Sequence, residues 1–170
     1  MVRRHKTDES GAALVEFALL LPVFMMLVLG MFSGGIVYNQ KLDLTHATRE
    51  GARYGAAVAK DQQFAAGTWA TNVRDLVIQR SGGDLVAGSG TTAGISTDGV
   101  CVALVTGSPA AVVTPSSSYS TSGGTCFTDN SSDTSMRVQV SARRPGKLEV
   151  LFFTQRMTLT ANATSKFEGS

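Results

Sequence analysis

Histidine, cysteine and tryptophan are scarce in this chain, with two, two and one in 170 residues. That scarcity removes whole classes of chemistry. His5 and His46 lie far apart and neither has a cysteine nearby, so no metal site can be built from local spacing, and His46 reads as a solvated residue on a polar helix. Cys101 and Cys126 are too distant for a zinc knuckle or a Cys-x-x-Cys redox pair, which leaves two readings: one disulfide, or two free buried thiols. Closing that loop would stabilise the fold by roughly 3.5 kcal/mol on the chain-entropy argument. Acids beyond residue 40 show no paired spacing for acid–base work and no serine stands in a nucleophile elbow, so the chain is read as a non-enzyme without cofactor. A net charge of +2, with bases scattered among acids, gives no nucleic-acid footprint. What remains is room for one modest domain once the first forty residues are set aside.

Charge is also missing from one long stretch. Between Glu16 and Lys41 there is no Asp, Glu, Lys or Arg, and the run is longer than the ~20 residues a membrane-spanning helix needs. Glu16 itself is unusual, because a carboxylate at mid-membrane costs about 2.5 to 3.5 kcal/mol on insertion scales and asks for a partner. Upstream, the basic segment 1–6 leads through Thr7, Asp8, Glu9 and Ser10 to Gly11, five residues before Glu16. Residues 1–11 read as a leader with no fold of its own, with Ser10 or Gly11 as a possible cap for the helix beyond. Pro22 predicts a kink or a short unwound stretch. Gly30 and Gly34 form a small-x-x-x-small pair inside the apolar helix, a spacing that lets helix backbones approach closely in lipid. Lys41, Arg49 and Arg53 nearly balance Arg3, Arg4 and Lys6 across the span, so charge alone leaves orientation open; the short N-terminal segment and the cysteine pair favour a cytoplasmic N-terminus.

The basic leader, the Gly11 and the Glu16 five positions beyond it resemble the class III signal of type IV pilin-like proteins. The resemblance implies a membrane peptidase that cuts on the cytoplasmic side between Gly11 and Ala12 and leaves the apolar segment on the mature protein. The new ammonium on Ala12 would lie about 6 Å of helical rise from Glu16, in a low-dielectric region where opposite charges attract strongly. Two other readings fit the run alone: an uncleaved anchor whose glutamate snorkels to the headgroups, and a secretory signal peptide cut near Ser33 or Gly35, though the run exceeds a signal core of about 7 to 15 residues.

Past the apolar run, residues 42–59 are polar and helical in pattern, with Ala47, Gly51, Tyr54, Gly55 and Val58 on one face and Arg49, Glu50 and Arg53 on another. The small face invites a close neighbour, either the globular domain or another subunit. Ala13–Pro22 (ALVEFALLLP) with Ala47–Tyr54 (ATREGARY) is similar to the TadE-like minor pilins, or pseudopilins, of the tight-adherence (Flp, type IVc) pilus system. Phe17 stands where the very short major Flp pilins commonly carry tyrosine, and this longer chain fits the minor class. The resemblance implies a bacterial inner-membrane protein that supports pilus assembly and adhesion. Its implied partners are a prepilin peptidase, other minor pilins, the major Flp pilin, the inner-membrane assembly platform and the lipid bilayer. Gly11 and Ala12 are then the processing residues and Glu16 the assembly residue. The division that follows is a leader at 1–11, a transmembrane and assembly helix at 12–40, and an extracytoplasmic α+β domain at 41–170.

Within that domain, residues 68–80 predict an amphipathic helix with Thr68 as cap, Trp69, Val73, Leu76 and Val77 on its apolar face and a Ser81-Gly-Gly stop; Trp69 reads as core. Gly88–Gly94 lacks a Gly-Lys-Ser/Thr ending and reads as a loop, not a phosphate cradle. Residues 100–106 and 111–114 read as strands joined through Gly107-Ser-Pro109, with a flexible insertion at 116–124. The clearest strand is 136–142, where apolar and polar residues alternate so that one face covers a core. Residues 143–147 read as its turn, 148–153 as a short strand or a turn packed on the membrane-proximal helix, and 157–163 as another alternating strand. Asn130-Ser-Ser and Asn162-Ala-Thr match glycosylation acceptors, a pattern too common to interpret. The expected fold is pilin-like: a long N-terminal helix, a second helix and a small antiparallel sheet.

Overall fold

The computed structural model describes residues 9–58, 67–82, 85, 99–113, 119–129, 131–150 and 153–168. The leader residues 1–8, the 88–94 loop, residue 114 of the expected second strand, residues 116–118 of the 116–124 insertion and Asn130 lie outside them. Helix α1 runs from Glu9 to Ala57 and α2 from Trp69 to Arg80, followed by strands β1 (Val100–Thr106), β2 (Ala111–Val112), β3 (Arg137–Val150) and β4 (Phe153–Lys166). The chain is an α+β fold whose four strands form one antiparallel sheet in the order β2-β1-β3-β4.

Helix α1 is one uninterrupted rod about 74 Å long. It begins within the expected leader, at Glu9, and continues through Pro22 with no unwound residue. Its second half is buried along a single stripe, Val37, Leu44, Ala47, Thr48, Gly51, Ala52, Gly55 and Ala56, which repeats at the 3.6-residue period. Tyr54, expected on this stripe, lies outside it and is exposed, because residues 52 and 56 fall closer to the line through 48 and 55.

Small residues on the stripe let α2 come close. A methyl group at Gly51 would sit 2.3 Å from Val77 Cγ2, and one at Gly55 would meet Val73, Trp69 and Val138 at 3.0 to 3.2 Å. The end of α1 would otherwise leave carbonyls without partners. Trp69, fully buried, donates its indole N–H to the Gly55 carbonyl at 3.0 Å, and the Glu168 amide takes the Ala56 carbonyl at 3.1 Å. Thr68 makes no side-chain cap; the backbone of α2 starts without one, and Ser81 closes the other end by donating to Ile78 O at 2.9 Å.

The largest departure from the sequence reading is at 143–147, which is not a turn. β3 continues through Arg143-Arg-Pro-Gly-Lys to Val150 and pairs with β4 along its whole length, from Arg137↔Lys166 to Val150↔Phe153. Pro145 is tolerated because β1 has already ended opposite Ala142. The Arg143 amide reaches Gly99 O on the β1 side and the Glu149 amide reaches Ser33 Oγ, so with period two the donor that Pro145 lacks would face the open edge and not β4.

Both faces of the upper sheet are covered. Val138, Val140, Ala142, Val100, Val102 and Leu104 join α1 and α2 in the main core. The alternate residues, expected to face solvent, are also buried: Arg137, Gln139 and Ser141 lie under the segment 119–136 that a Cys101–Cys126 disulfide ties to β1. Arg137 is 3% exposed and donates to the Asp129 carboxylate, to the carbonyls of Asp133 and Ser135, and to Gly107 O at 3.0 Å. The Gln139 side chain accepts from the Cys126 amide at 3.2 Å.

Candidate assembly and membrane-anchoring site

Every one of residues 11–29 of α1 is exposed. Leu14, Phe17, Leu19, Leu20, Phe24 and Leu27 are among the apolar side chains left open, a surface far too large and too hydrophobic for water to be its intended neighbour. The helix qualifies as a membrane span by length and composition, with a mean hydropathy of 2.5 in its best window and none of that window buried. At 1.5 Å per residue, 11–29 measures about 28 Å, close to the ~30 Å hydrocarbon thickness of a bilayer.

Gly11 and Ala12 stand in the first turns of this rod and Glu16 one turn further on, all exposed. A methyl added at Gly11 would meet nothing within 4 Å among the described residues, so no packing there requires glycine. Gly34 is also open to a methyl group, and Gly30 and Gly34 are only half-buried, whereas Ala47, Gly51 and Gly55 are committed to the contact with α2 and the sheet. Ala47, Gly51 and Gly55 therefore help to build the fold, whereas Gly34 has room for a side chain.

A family model described as TadE-like protein matches residues 11–53. Over those residues the chain is similar to that family. The matched stretch holds the whole exposed apolar run, Glu16, and the buried stripe as far as Arg53, and none of α2 or the sheet. No curated protein and no solved structure is similar enough to be matched. Its helix is long and apolar enough to cross a membrane by length and composition.

Besides the Trp69–Gly55 bond and the Arg80–Glu50 ion pair, three bonds tie the strands and the residues after them to α1. Glu168 holds Ala56, Lys41 donates to the Thr160 carbonyl, and the Glu149 amide donates to Ser33 Oγ at 2.9 Å. The sequence reading placed residues 148–153 against the membrane-proximal helix; the individual bonds use main-chain atoms of the domain and so carry no residue signature there. Among the described residues no cluster of His, Cys, Asp and Glu could hold a metal ion. His46 is exposed on α1, away from either cysteine. The hollows on the surface are shallow; one lies over Met31, Phe32, Gly35, Ile36, Asn39 and Gln40 of α1, another over Arg49, Arg53 and the end of β4.

Proposed function

We propose that the protein is a minor pilin, or pseudopilin, of a tight-adherence pilus, cut by a prepilin peptidase between Gly11 and Ala12 and supporting pilus assembly and surface adhesion, with no enzymatic activity of its own. The observation that carries this reading is the split character of α1, a rod with one half given to the domain and the other half exposed. A plain anchor needs only an apolar segment. Here the apolar segment also carries an acid near its start and a glycine, Gly11, that has no packing role among the described residues.

Cleavage would place the Ala12 ammonium one turn from Glu16. Within one chain this is local neutralisation; between chains the acid of one subunit meets the amine of the next and fixes their axial offset. Other minor pilins, the major pilin and the inner-membrane assembly platform are the partners this implies, with the domain on the extracytoplasmic side, where an oxidising compartment suits the Cys101–Cys126 bond. A second reading, an unprocessed single-pass scaffold for pilus assembly, is favoured by α1 starting at Glu9, upstream of the cleavage point. Intact-mass measurement of the protein extracted from its native membrane separates the two. Loss of residues 1–11 is expected; a chain that keeps them is the scaffold.

A further inference from the structure

The β3–β4 hairpin extends well beyond the sheet. Past Ala142, where β1 ends, eight more residues of β3 pair only with β4 and run alongside α1 toward its N-terminus. The hairpin closes at Val150↔Phe153, next to the Glu149–Ser33 bond. Ser33 is just past the point at which α1 becomes fully exposed, and residues 11–29 are about as long as the hydrocarbon core is thick. With the apolar half of α1 in a bilayer, the end of the hairpin therefore lies at the membrane surface.

The chemistry of that end matches the location. Phe153, paired with Val150 at the described end of the hairpin, is 76% exposed. Three residues back, about 10 Å along the strand, Lys147 and Arg156 are directly opposite each other, both exposed, and neither forms an ion pair among the described residues. Like charges in direct cross-strand register repel, and an anion between them would turn that repulsion into a binding site. Glu149, on the same face one step nearer the end, sits opposite uncharged Thr154 and leaves the described end of the hairpin net basic, with Arg143 and Arg144 behind it.

We propose that the end of the β3–β4 hairpin is a second, peripheral membrane contact: Phe153 enters the headgroup layer of the leaflet on the domain side, and Lys147 and Arg156 bind the phosphates of anionic lipids. The long cationic side chains reach back along the strand toward the headgroups while their stems cover apolar surface. The contact holds the domain upright at a fixed height on its helix. It rests on α1 being in the bilayer and not on the pilin reading.

The native cysteines are bonded to each other and no free thiol competes among the described residues, so a nitroxide can be placed on Phe153→Cys in the full-length protein. Parallel labels go on Leu20→Cys, in the apolar run, and on Asp75→Cys, exposed on α2. In vesicles of phosphatidylcholine and phosphatidylglycerol, the labels at 20 and 153 are expected to collide with oxygen in preference to a water-soluble nickel chelate, and the label at 75 to do the reverse. Each surface cation contributes about a fivefold preference for an anionic membrane. Lys147→Gln with Arg156→Gln should therefore lower the ratio of immersed to free label at 153 by about thirty-fold in anionic vesicles and leave it unchanged in phosphatidylcholine alone. A label at 153 as wet as the one at 75, while 20 is in lipid, overturns the proposal. So does equal immersion of the double variant, or a spectrum at 153 broadened by spin–spin contact that dilution with unlabelled chains relieves, which would put a second copy on the hairpin. A label at 20 that is also wet removes the anchor and the hairpin contact together.

Discussion

Arg137 shows how one side chain can hold a segment that has almost no regular structure. Its guanidinium is buried and bonded to Asp129, to three carbonyls, and through them to the turn at Gly107 and the stretch 129–135. The Arg137 hydrogen bond holds the Asp129 carboxyl below its ordinary 3.8, against the opposing effect of burial and with help from the Ser131 amide. A group whose folded pKa is depressed contributes stability that is complete above its unfolded value and is lost as pH falls through the folded one. Asp129 thus supports the domain in full at neutral pH, and its contribution begins to fall below about pH 4 and is lost as pH passes the lowered folded value. Asp129→Asn leaves a buried cation without its counter-charge and should cost about 3 kcal/mol at pH 7. Thermal unfolding of the detergent-solubilised protein at pH 7 and pH 3 checks this: the gap between variant and wild type should narrow in acid. A gap of the same size at both pH values would mean that the carboxylate charge is not what Arg137 needs.

At the scale of elements, the contact between α1 and α2 depends on what is missing from one face of α1. Gly51 is an informative position because two effects of known sign compete there. Alanine gains roughly 1 kcal/mol of helix propensity over glycine, but its methyl would have to displace Val77 Cγ2 from 2.3 Å, and Val77 is a stiff, fully buried β-branched residue. Overpacking of this kind costs about 1–3 kcal/mol, so Gly51→Ala should lower the melting temperature, and Gly51→Ala with Val77→Ala should recover most of the loss. A melting temperature raised by the single substitution would show that the helices are not this close. The Ala47, Gly51, Gly55 spacing was legible in the sequence as a small face awaiting a neighbour, and so were α2, β1 and the first half of β3, because hydrophobic period reports directly on a buried face. The rest was hidden for identifiable reasons. Arg143-Arg-Pro-Gly has the composition of a turn, and only the end of β1 opposite Ala142 reveals that Pro145 faces an edge where no donor is needed. Arg137, Gln139 and Ser141 read as a solvated face because nothing local announces that the disulfide-tied segment will cover them.

The molecule as a whole is an α1 rod with a domain mounted on one half, and the exposed half is where Glu16 must be explained. In a monomeric anchor the acid is a liability, and replacing it with leucine would ease insertion by about 2.5–3.5 kcal/mol if the position lies at mid-membrane and by less near the headgroups. In an assembling subunit the same acid is the recognition element, and an interaction between opposite charges gains strength from the low dielectric around it. The two cases predict opposite consequences for one substitution. Glu16→Leu changes an exposed side chain that forms no hydrogen bond or ion pair among the described residues. Membrane yield, disulfide formation and melting of the domain should therefore match wild type. Under the minor-pilin reading the variant should still be cut after Gly11 yet fail to enter the pilus fraction, and co-purification with partner pilins should fall by tenfold or more, as roughly 1.4 kcal/mol of lost pairing would require. Glu16→Gln keeps the shape and removes the charge, so it should behave like leucine if the charge is what pairs with the Ala12 amine, and like wild type if a hydrogen bond is enough. Normal incorporation of both variants would leave Glu16 without a role in assembly and return α1 to a simple membrane anchor.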